Sequence, residues 1–180
     1  MGKALSNGYP VSCYGGKREI MEGASDKGMV HAGTYNSNPL VLAAVCANLA
    51  DLSRDNGIAY KKMAENGMKL RKGLVDIFQK AGWPAHDQGP ETAFSIMLYE
   101  GEEIKCLRDY YKCDLKTLDT LRTELRKRGV YTRPALRDIW YISTAHTRED
   151  IDKTLEIASQ VVPLIKGRGY NESAGSYPTI

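Results

Sequence analysis

The feature that most constrains the fold is an apolar run that directly follows a helix-start signal. Asn38 can cap a helix, and Pro39 has its backbone angle preset for the first turn. The residues that follow, 40–47, are apolar on every side of the predicted helix. Because such a helix offers no polar face to water, it must be covered by protein all round. The segment therefore predicts a helix that packs inside a larger assembly.

A second helix is predicted from about Ile58 to Ala81. Its apolar positions recur every three or four residues: Met63, Gly67, Leu70, Leu74, Ile77 and Ala81. The interior glycines, Gly67 and Gly73, each weaken a helix by about 1 kcal/mol relative to alanine. We therefore expect them to mark places where a neighbouring element packs closely.

The pattern after Trp83 predicts a separate α+β unit over 83–166. Strands are predicted at 93–99, 130–132 and 139–143, with a polar surface segment at 100–112. One helix is capped by Asp114, and another starts at a capping box formed by Thr147 and Asp150. Before this unit, the sequence predicts a strand at 10–14, a short helix at 17–22 and a loop at 23–37. The last residues, 167–180, are expected to form a mobile tail.

Composition excludes several classes of function. The net charge is only +3 and the basic residues are dispersed, so neither a nucleic-acid patch nor a membrane-surface patch is expected. The sequence lacks an 18-residue apolar run and a recognisable signal peptide, so we expect no membrane span and a cytoplasmic location. The four cysteines form no CxxC pair, which predicts free thiols and no metal site.

Two segments carry the chemistry. Gly2-Lys3-Ala4-Leu5-Ser6-Asn7-Gly8-Tyr9-Pro10 and His31-Ala32-Gly33-Thr34-Tyr35-Asn36-Ser37-Asn38-Pro39-Leu40 resemble signature segments of the class III, pyridoxal-phosphate (PLP)-dependent aminotransferases. The glutamate-1-semialdehyde 2,1-aminomutase branch is the nearest likeness. The late segment 142–152 also resembles the family's Ser-x-Ala-His-Thr-x-x-Asp-Ile pattern.

This resemblance implies a fold, a cofactor and a site. The fold would be the PLP-transferase fold type I, α/β and α+β. Residues 1–55 would form the end of the cofactor-binding large domain, 56–82 a linking helix, and 83–166 the C-terminal small domain. Lys3 would be the catalytic residue and would hold PLP as a Schiff base. Gly33 and Thr34 would contact the cofactor phosphate of the neighbouring subunit, so a homodimer is implied. Ser37 stands where the family usually has glycine.

Substrate recognition is less well defined by the sequence. The family acts on an amino acid or amine together with an oxo acid or aldehyde. Arg133 and Arg137 lie in a loop near the family's substrate mouth, and an arginine there can bind a carboxylate in a bidentate way. That loop lacks the Pro-Ser-x-Phe-Glu pattern usual in the aminomutases. His146 is expected to satisfy a hydrogen bond at a turn and to have no catalytic role.

The resemblance covers only about the last two-fifths of a typical family member. The family's phosphate-binding turn, ring-stacking aromatic residue and pyridine-binding acid precede the lysine, so we expect them to be absent here. The isolated chain would then need a separate N-terminal half. The alternative is a non-catalytic dimerisation or regulatory module, or a fragment of a split or incomplete gene.

Overall fold

The computed structural model describes residues 1–26, 29–30, 32–101, 103–132 and 139–165. The chain divides into two compact units, Met1–Ala59 and Tyr60–Ile180. The domain boundaries expected from the sequence, at 55/56 and 82/83, remain predictions. No helix in the described part of the chain is long and apolar enough to cross a membrane.

The first unit contains a short 3-10 helix, Lys3–Ser6, helix α1, Arg18–Asp26, and the first part of helix α2, Pro39–Lys80. The predicted cap of α2 is confirmed, because Asn38 Oδ1 accepts hydrogen bonds from the amides of Leu40 (3.0 Å) and Val41 (3.3 Å). The predicted strand at 10–14 is wrong. Those residues have no neighbouring strand among the described residues and so form irregular structure.

Helix α2 is interrupted at 54–57. Arg54 has an extended ψ of 146°, and Asp55, Asn56 and Gly57 have φ values of 49°, 55° and 72°. Asn, Asp and Gly tolerate this left-handed region better than other residues do. The interruption separates two helical segments, and the second of them confirms the helix predicted from about Ile58.

The second unit contains a three-stranded antiparallel sheet in the order β1-β2-β3. The strands are β1, Ala85–Gln88, β2, Ala93–Leu98, and β3, Trp140–Tyr141. Strand β2 agrees with the sequence prediction, whereas the strand predicted at 139–143 shortens to two residues. The strand predicted at 130–132 is wrong, because that segment pairs with no strand in the part of the chain that the structure describes. Strand β1 was not predicted, since its polar sequence shows no apolar alternation.

Within its described residues, the second unit has three further helices: α3, Leu107–Tyr110, α4, Leu115–Lys127, and α5, Arg148–Ile165. Both predicted N-terminal caps are confirmed. Asp114 Oδ1 accepts from the Thr117 amide at 3.0 Å, and Thr147 and Asp150 bond each other reciprocally. The second part of α2, the sheet, α4 and α5 share one hydrophobic core: Leu70, Leu74, Phe78, Phe94, Ile96, Leu118, Leu121, Leu125, Ile151, Ala158, Val161 and Val162. This arrangement is the α+β layering that the sequence predicted, with strand β1 and helix α3 added.

The two helix glycines occupy places where another element approaches closely. A Cβ atom at Gly67 would lie 1.8 Å from the carbonyl oxygen of Glu91, and one at Gly73 would lie 2.5 Å from Leu155 Cδ2. The close packing predicted for both positions is confirmed.

Candidate functional site

Lys3 is the first residue of the 3-10 helix in the first unit. Its side chain is exposed, and Nζ makes no hydrogen bond or ion pair with any described residue. Its φ of 54° lies in the left-handed region, which a residue with a side chain adopts at a cost. The Lys3 amine is therefore not engaged by any described residue, and its backbone has a conformation unusual for a residue with a side chain.

The main chain around Lys3 is fixed on both sides. Before it, Met1 and Cys13 exchange two backbone hydrogen bonds, of 2.6 and 2.8 Å. After it, Asn48 Nδ2 donates to the carbonyl oxygens of Ala4 (2.9 Å) and Leu5 (3.0 Å). Sequence reasoning missed Asn48, although a lone amide side chain within an apolar helix was a usable signal. These contacts hold the backbone next to Lys3 against the first part of helix α2.

Gly33 and Thr34 open the turn that leads into helix α2. The Asn36 amide donates to the Gly33 carbonyl at 3.0 Å, and the Asn38 amide donates to the Tyr35 carbonyl at 3.3 Å. A Cβ atom at Gly33 would lie 2.8 Å from Asn36 Oδ1, the end of a side chain that can move, so this contact does not by itself require glycine. The two bonds hold Thr34 at the outer edge of a compact turn.

Thr34 supplies the available donors of this turn. It is exposed, and neither its hydroxyl nor its amide bonds any described residue. The first amides of helix α2 are different, since Asn38 Oδ1 already accepts those of Leu40 and Val41. An anion at this turn would therefore meet the Thr34 hydroxyl and amide before the capped amides of the helix.

The backbone conformation at Ser37 is one that favours glycine. Its φ is 56°, in the left-handed region, where glycine pays no Cβ penalty. Ser37 therefore adopts a backbone conformation that suits glycine, the usual residue here in the family that this chain resembles.

The remaining site candidates have different outcomes. Arg133 and Arg137 lie outside the described residues. No hydrogen bond joins Lys3 to Thr34. His146 behaves as expected, because its Nδ1 accepts from the Ser143 amide at 3.0 Å within the turn before α5.

Among the residues that the structure describes, the ionisable groups with a clear pKa shift belong to the second unit. Hydrogen bonds from the Thr147 hydroxyl and amide lower the pKa of Asp150. Hydrogen bonds from Lys127 and Arg128 lower the pKa of Glu124 to about 2. Asp150 acts at the start of helix α5, and Glu124 pairs with two cations at the end of helix α4.

Comparison with known proteins identifies relatives of the chain. It is 31% identical over 163 residues to glutamate-1-semialdehyde 2,1-aminomutase from Thermomicrobium roseum, covering 90% of this chain and 37% of the relative. The enzyme of the same name from Akkermansia muciniphila is 35% identical over 159 residues, covering 87% and 36%. The chain thus spans a little over a third of the length of the curated relatives it matches.

Solved structures agree on the fold. An omega-transaminase from Sphaerobacter thermophilus superposes with a TM-score of 0.73 at 21% identity, covering 91% of this chain and 37% of that one. A transaminase with PLP bound gives a TM-score of 0.75 at 20% identity, covering 94% and 39%. These likenesses place the chain in the PLP-transferase fold type I. The profile of the family described as aminotransferase class-III matches residues 1–162, and the chain therefore belongs to the class III aminotransferases.

Proposed function

We propose that this chain supplies the lysine-bearing part of a PLP-dependent enzyme that transfers amino groups. The observation that carries the proposal is Lys3, an exposed amine without a partner among the described residues, on a backbone fixed from both sides. The family membership of residues 1–162 supports it. The names of the curated relatives favour an aminomutase, in which both half-reactions act on one carbon skeleton.

The donor set of the first unit fits PLP. The cofactor presents an aldehyde, which reacts with a primary amine, and a phosphate, which takes hydrogen bonds from hydroxyl and amide groups. Lys3 offers the amine, and Thr34 offers a hydroxyl and an amide that bond no described residue. When bound, PLP supplies an electron sink for the substrate carbon.

Lys3 would perform two tasks. Its Nζ would hold the cofactor until a substrate amine displaces it. The freed amine would then move a proton at the substrate carbon, which requires Nζ to lose its own proton. The bonds from Asn48 to Ala4 and Leu5 would keep the lysine within reach during both steps.

Gly33 and Thr34 would bind the phosphate of a second subunit. A homodimer is proposed on this basis, with Thr34 donating across the subunit boundary. We further propose an amino acid or amine and an oxo acid or aldehyde as substrates, with Arg133 and Arg137 as carboxylate-binding candidates. A cytoplasmic location is proposed as well, and the four free cysteines suit a reducing compartment.

A binding titration tests this proposal. Purified chain is titrated with PLP and the absorbance of the imine is followed. We expect saturable binding that Lys3→Ala abolishes and Thr34→Val weakens. Lys17→Ala is the matched control, since Lys17 is another exposed lysine of the same unit. Equal binding by the wild-type chain and the Lys3→Ala variant would remove the basis of the proposal.

A second function is favoured by one observation. In the first part of helix α2, Leu40, Leu42 and Leu49 are 64%, 44% and 45% exposed. A helix with this much exposed leucine suits association with another protein surface. The alternative is therefore a dimerisation or regulatory module, and failure of PLP binding together with retained self-association would favour it.

A further inference from the structure

The backbone around Lys3 takes a conformation that its own sequence does not favour. Lys3 and Asn7 have φ values of 54° and 50°, in the left-handed region, and Gly8 has a φ of 112°. Glycine adopts such values freely, but a residue with a side chain adopts them at a cost in free energy. Two such residues this close together persist where other contacts determine the conformation. The lysine segment, which we define as residues 2–9, therefore needs bonds beyond those of its own backbone.

Asn48 of helix α2 provides the first of these bonds. Its side-chain amide donates to the Ala4 carbonyl at 2.9 Å and to the Leu5 carbonyl at 3.0 Å. An amide nitrogen carries two protons, so this one group can serve both acceptors at once. Asparagine is also a poorer helix former than the alanine and leucine beside it in α2. The bonds to the lysine segment therefore account for an asparagine that the helix itself does not favour.

Ser6 provides the second contact, from within the lysine segment. It is 1% exposed, and it is the one buried residue among those of the first unit whose burial the structure describes. Its hydroxyl donates to the Tyr9 carbonyl at 2.5 Å, and the Tyr9 amide donates to the Ser6 carbonyl at 3.4 Å. These two bonds close the turn that contains Asn7 and Gly8. Because Ser6 is buried, water cannot readily replace its bond, which makes the turn more rigid.

We propose that Ser6 and Asn48 are positioning residues that make Lys3 the lysine that reacts with an aldehyde cofactor. This inference rests on the function proposed above, because it takes Lys3 as the reacting amine. Both side chains act through the backbone of the lysine segment. Without their bonds, the segment relaxes to right-handed conformations and the Cα atom of Lys3 moves. The amine then loses its advantage over other exposed lysines, since the rate depends on how well a reacting group is placed.

Asn48→Leu tests this inference with little change of shape. Leucine branches at the same carbon as asparagine and favours a helix, so α2 keeps its stability while both bonds to the lysine segment are lost. The full chain is treated with PLP and borohydride, and mass spectrometry measures the ratio of label on Lys3 to label on Lys17. We expect Asn48→Leu to lower this ratio at least about tenfold, because a small displacement of a reacting group costs that much or more.

Asn66→Leu is the matched control for that variant. Asn66 also lies in helix α2, is also half-buried, and also donates to a distant carbonyl, that of His146, at 2.9 Å. Its bond does not involve the lysine segment. The labelling ratio should therefore stay at the wild-type value.

Ser6→Ala is the second variant, and it decides the question if Asn48→Leu does not fold. Alanine is smaller than serine, so it fits the buried position and only the hydroxyl is lost. We expect the labelling ratio to fall here too. Ser53→Ala is the matched control, since the Ser53 hydroxyl also donates to a carbonyl three residues away, that of Ala50 at 3.2 Å, but lies outside the lysine segment.

Hydrogen exchange measured without PLP gives a readout that does not depend on the cofactor. The Asn7 amide donates to the Ala4 carbonyl and the Tyr9 amide to the Ser6 carbonyl, each at 3.4 Å. Both amides should exchange at least about fivefold faster in Asn48→Leu and in Ser6→Ala, because the segment opens more often. Exchange at the wild-type rate in both variants would contradict the proposed positioning.

The labelling results separate this inference from the function on which it rests. Equal labelling of Lys3 and Lys17 in the wild-type chain would refute both. A preference for Lys3 that survives in Asn48→Leu and Ser6→Ala would refute the positioning role alone and leave the proposed function standing. A fall in the ratio that the two control variants share would also contradict the positioning role, because the loss would then not come from the lysine segment.

Discussion

Replacing Gly67 with alanine should destabilise the second unit even though alanine favours helices. Gly67 lies in the second segment of α2, where the turn between β1 and β2 packs against it. The added Cβ would stand 1.8 Å from the Glu91 carbonyl oxygen, whereas ordinary contact begins at 3.4 Å. The turn or the helix must therefore shift by roughly 1.6 Å, the difference between these distances.

The magnitude follows from two opposing terms. Overpacking of a well-ordered site costs about 1–3 kcal/mol, and more when backbone atoms have to move. Alanine returns about 1 kcal/mol of helix propensity. We expect a net loss of about 2 kcal/mol, which for a chain of this size lowers Tm by about 4–8 °C. Urea denaturation followed by circular dichroism measures the loss directly.

Gly73→Ala is the matched control in the same helix. Its Cβ would meet Leu155 Cδ2 at 2.5 Å and Cδ1 at 2.7 Å, which are the free ends of a flexible side chain. Leu155 can rotate away, so we expect a change within about 1 kcal/mol of zero. If Gly67→Ala proves as stable as the wild-type chain, the close approach of the β1–β2 turn to this helix is wrong.

Three further predictions use other parts of the chain. Ser37→Gly should raise the free energy of unfolding by up to about 1 kcal/mol, because glycine adopts the left-handed φ without strain. Ser53→Gly, inside helix α2, should lower it by about 1 kcal/mol, and thermal unfolding of the two variants measures the difference. Because the folded-state pKa of Glu124 is lowered, its contribution to the stability of the fold is complete above pH 4.5, its ordinary pKa, and is lost as the pH falls towards about 2. Glu124→Gln should therefore remove this part of the loss of stability in acid, which a series of urea melts at different pH values measures. A Glu124→Gln variant with an unchanged acid profile would contradict the assigned pairs. Leu42→Asp should reduce self-association in light scattering more than Lys116→Glu does, because Leu42 is a partly exposed leucine of the apolar helix, and equal effects of the two would show that this helix face is not used.

Local signals in the sequence predicted the helices well. The caps at Asn38, Asp114 and Thr147 depend on side chains within three residues of the amides they bind, so each is readable from a short stretch. The glycines at 67 and 73 were informative for the same reason, since each breaks an otherwise regular helical pattern.

Contacts between distant parts of the chain were harder to predict. Strand β1 is held by its pairing with β2, and its own sequence offers no alternation to detect. Residues 130–132 have strand-like composition but pair with no strand among the described residues, which no local pattern reveals. Asn48 bonds carbonyls more than forty residues away, a pairing that no short stretch of sequence reveals.

The most direct test of the central claim is to locate the bond between the cofactor and the protein. The chain is incubated with PLP, reduced with borohydride and digested, and the peptides are sequenced by mass spectrometry. The account predicts a pyridoxyl phosphate group on Lys3, with little on Lys17 or on the other exposed lysines. Labelling spread evenly over the exposed lysines, with no preference for Lys3, would contradict it.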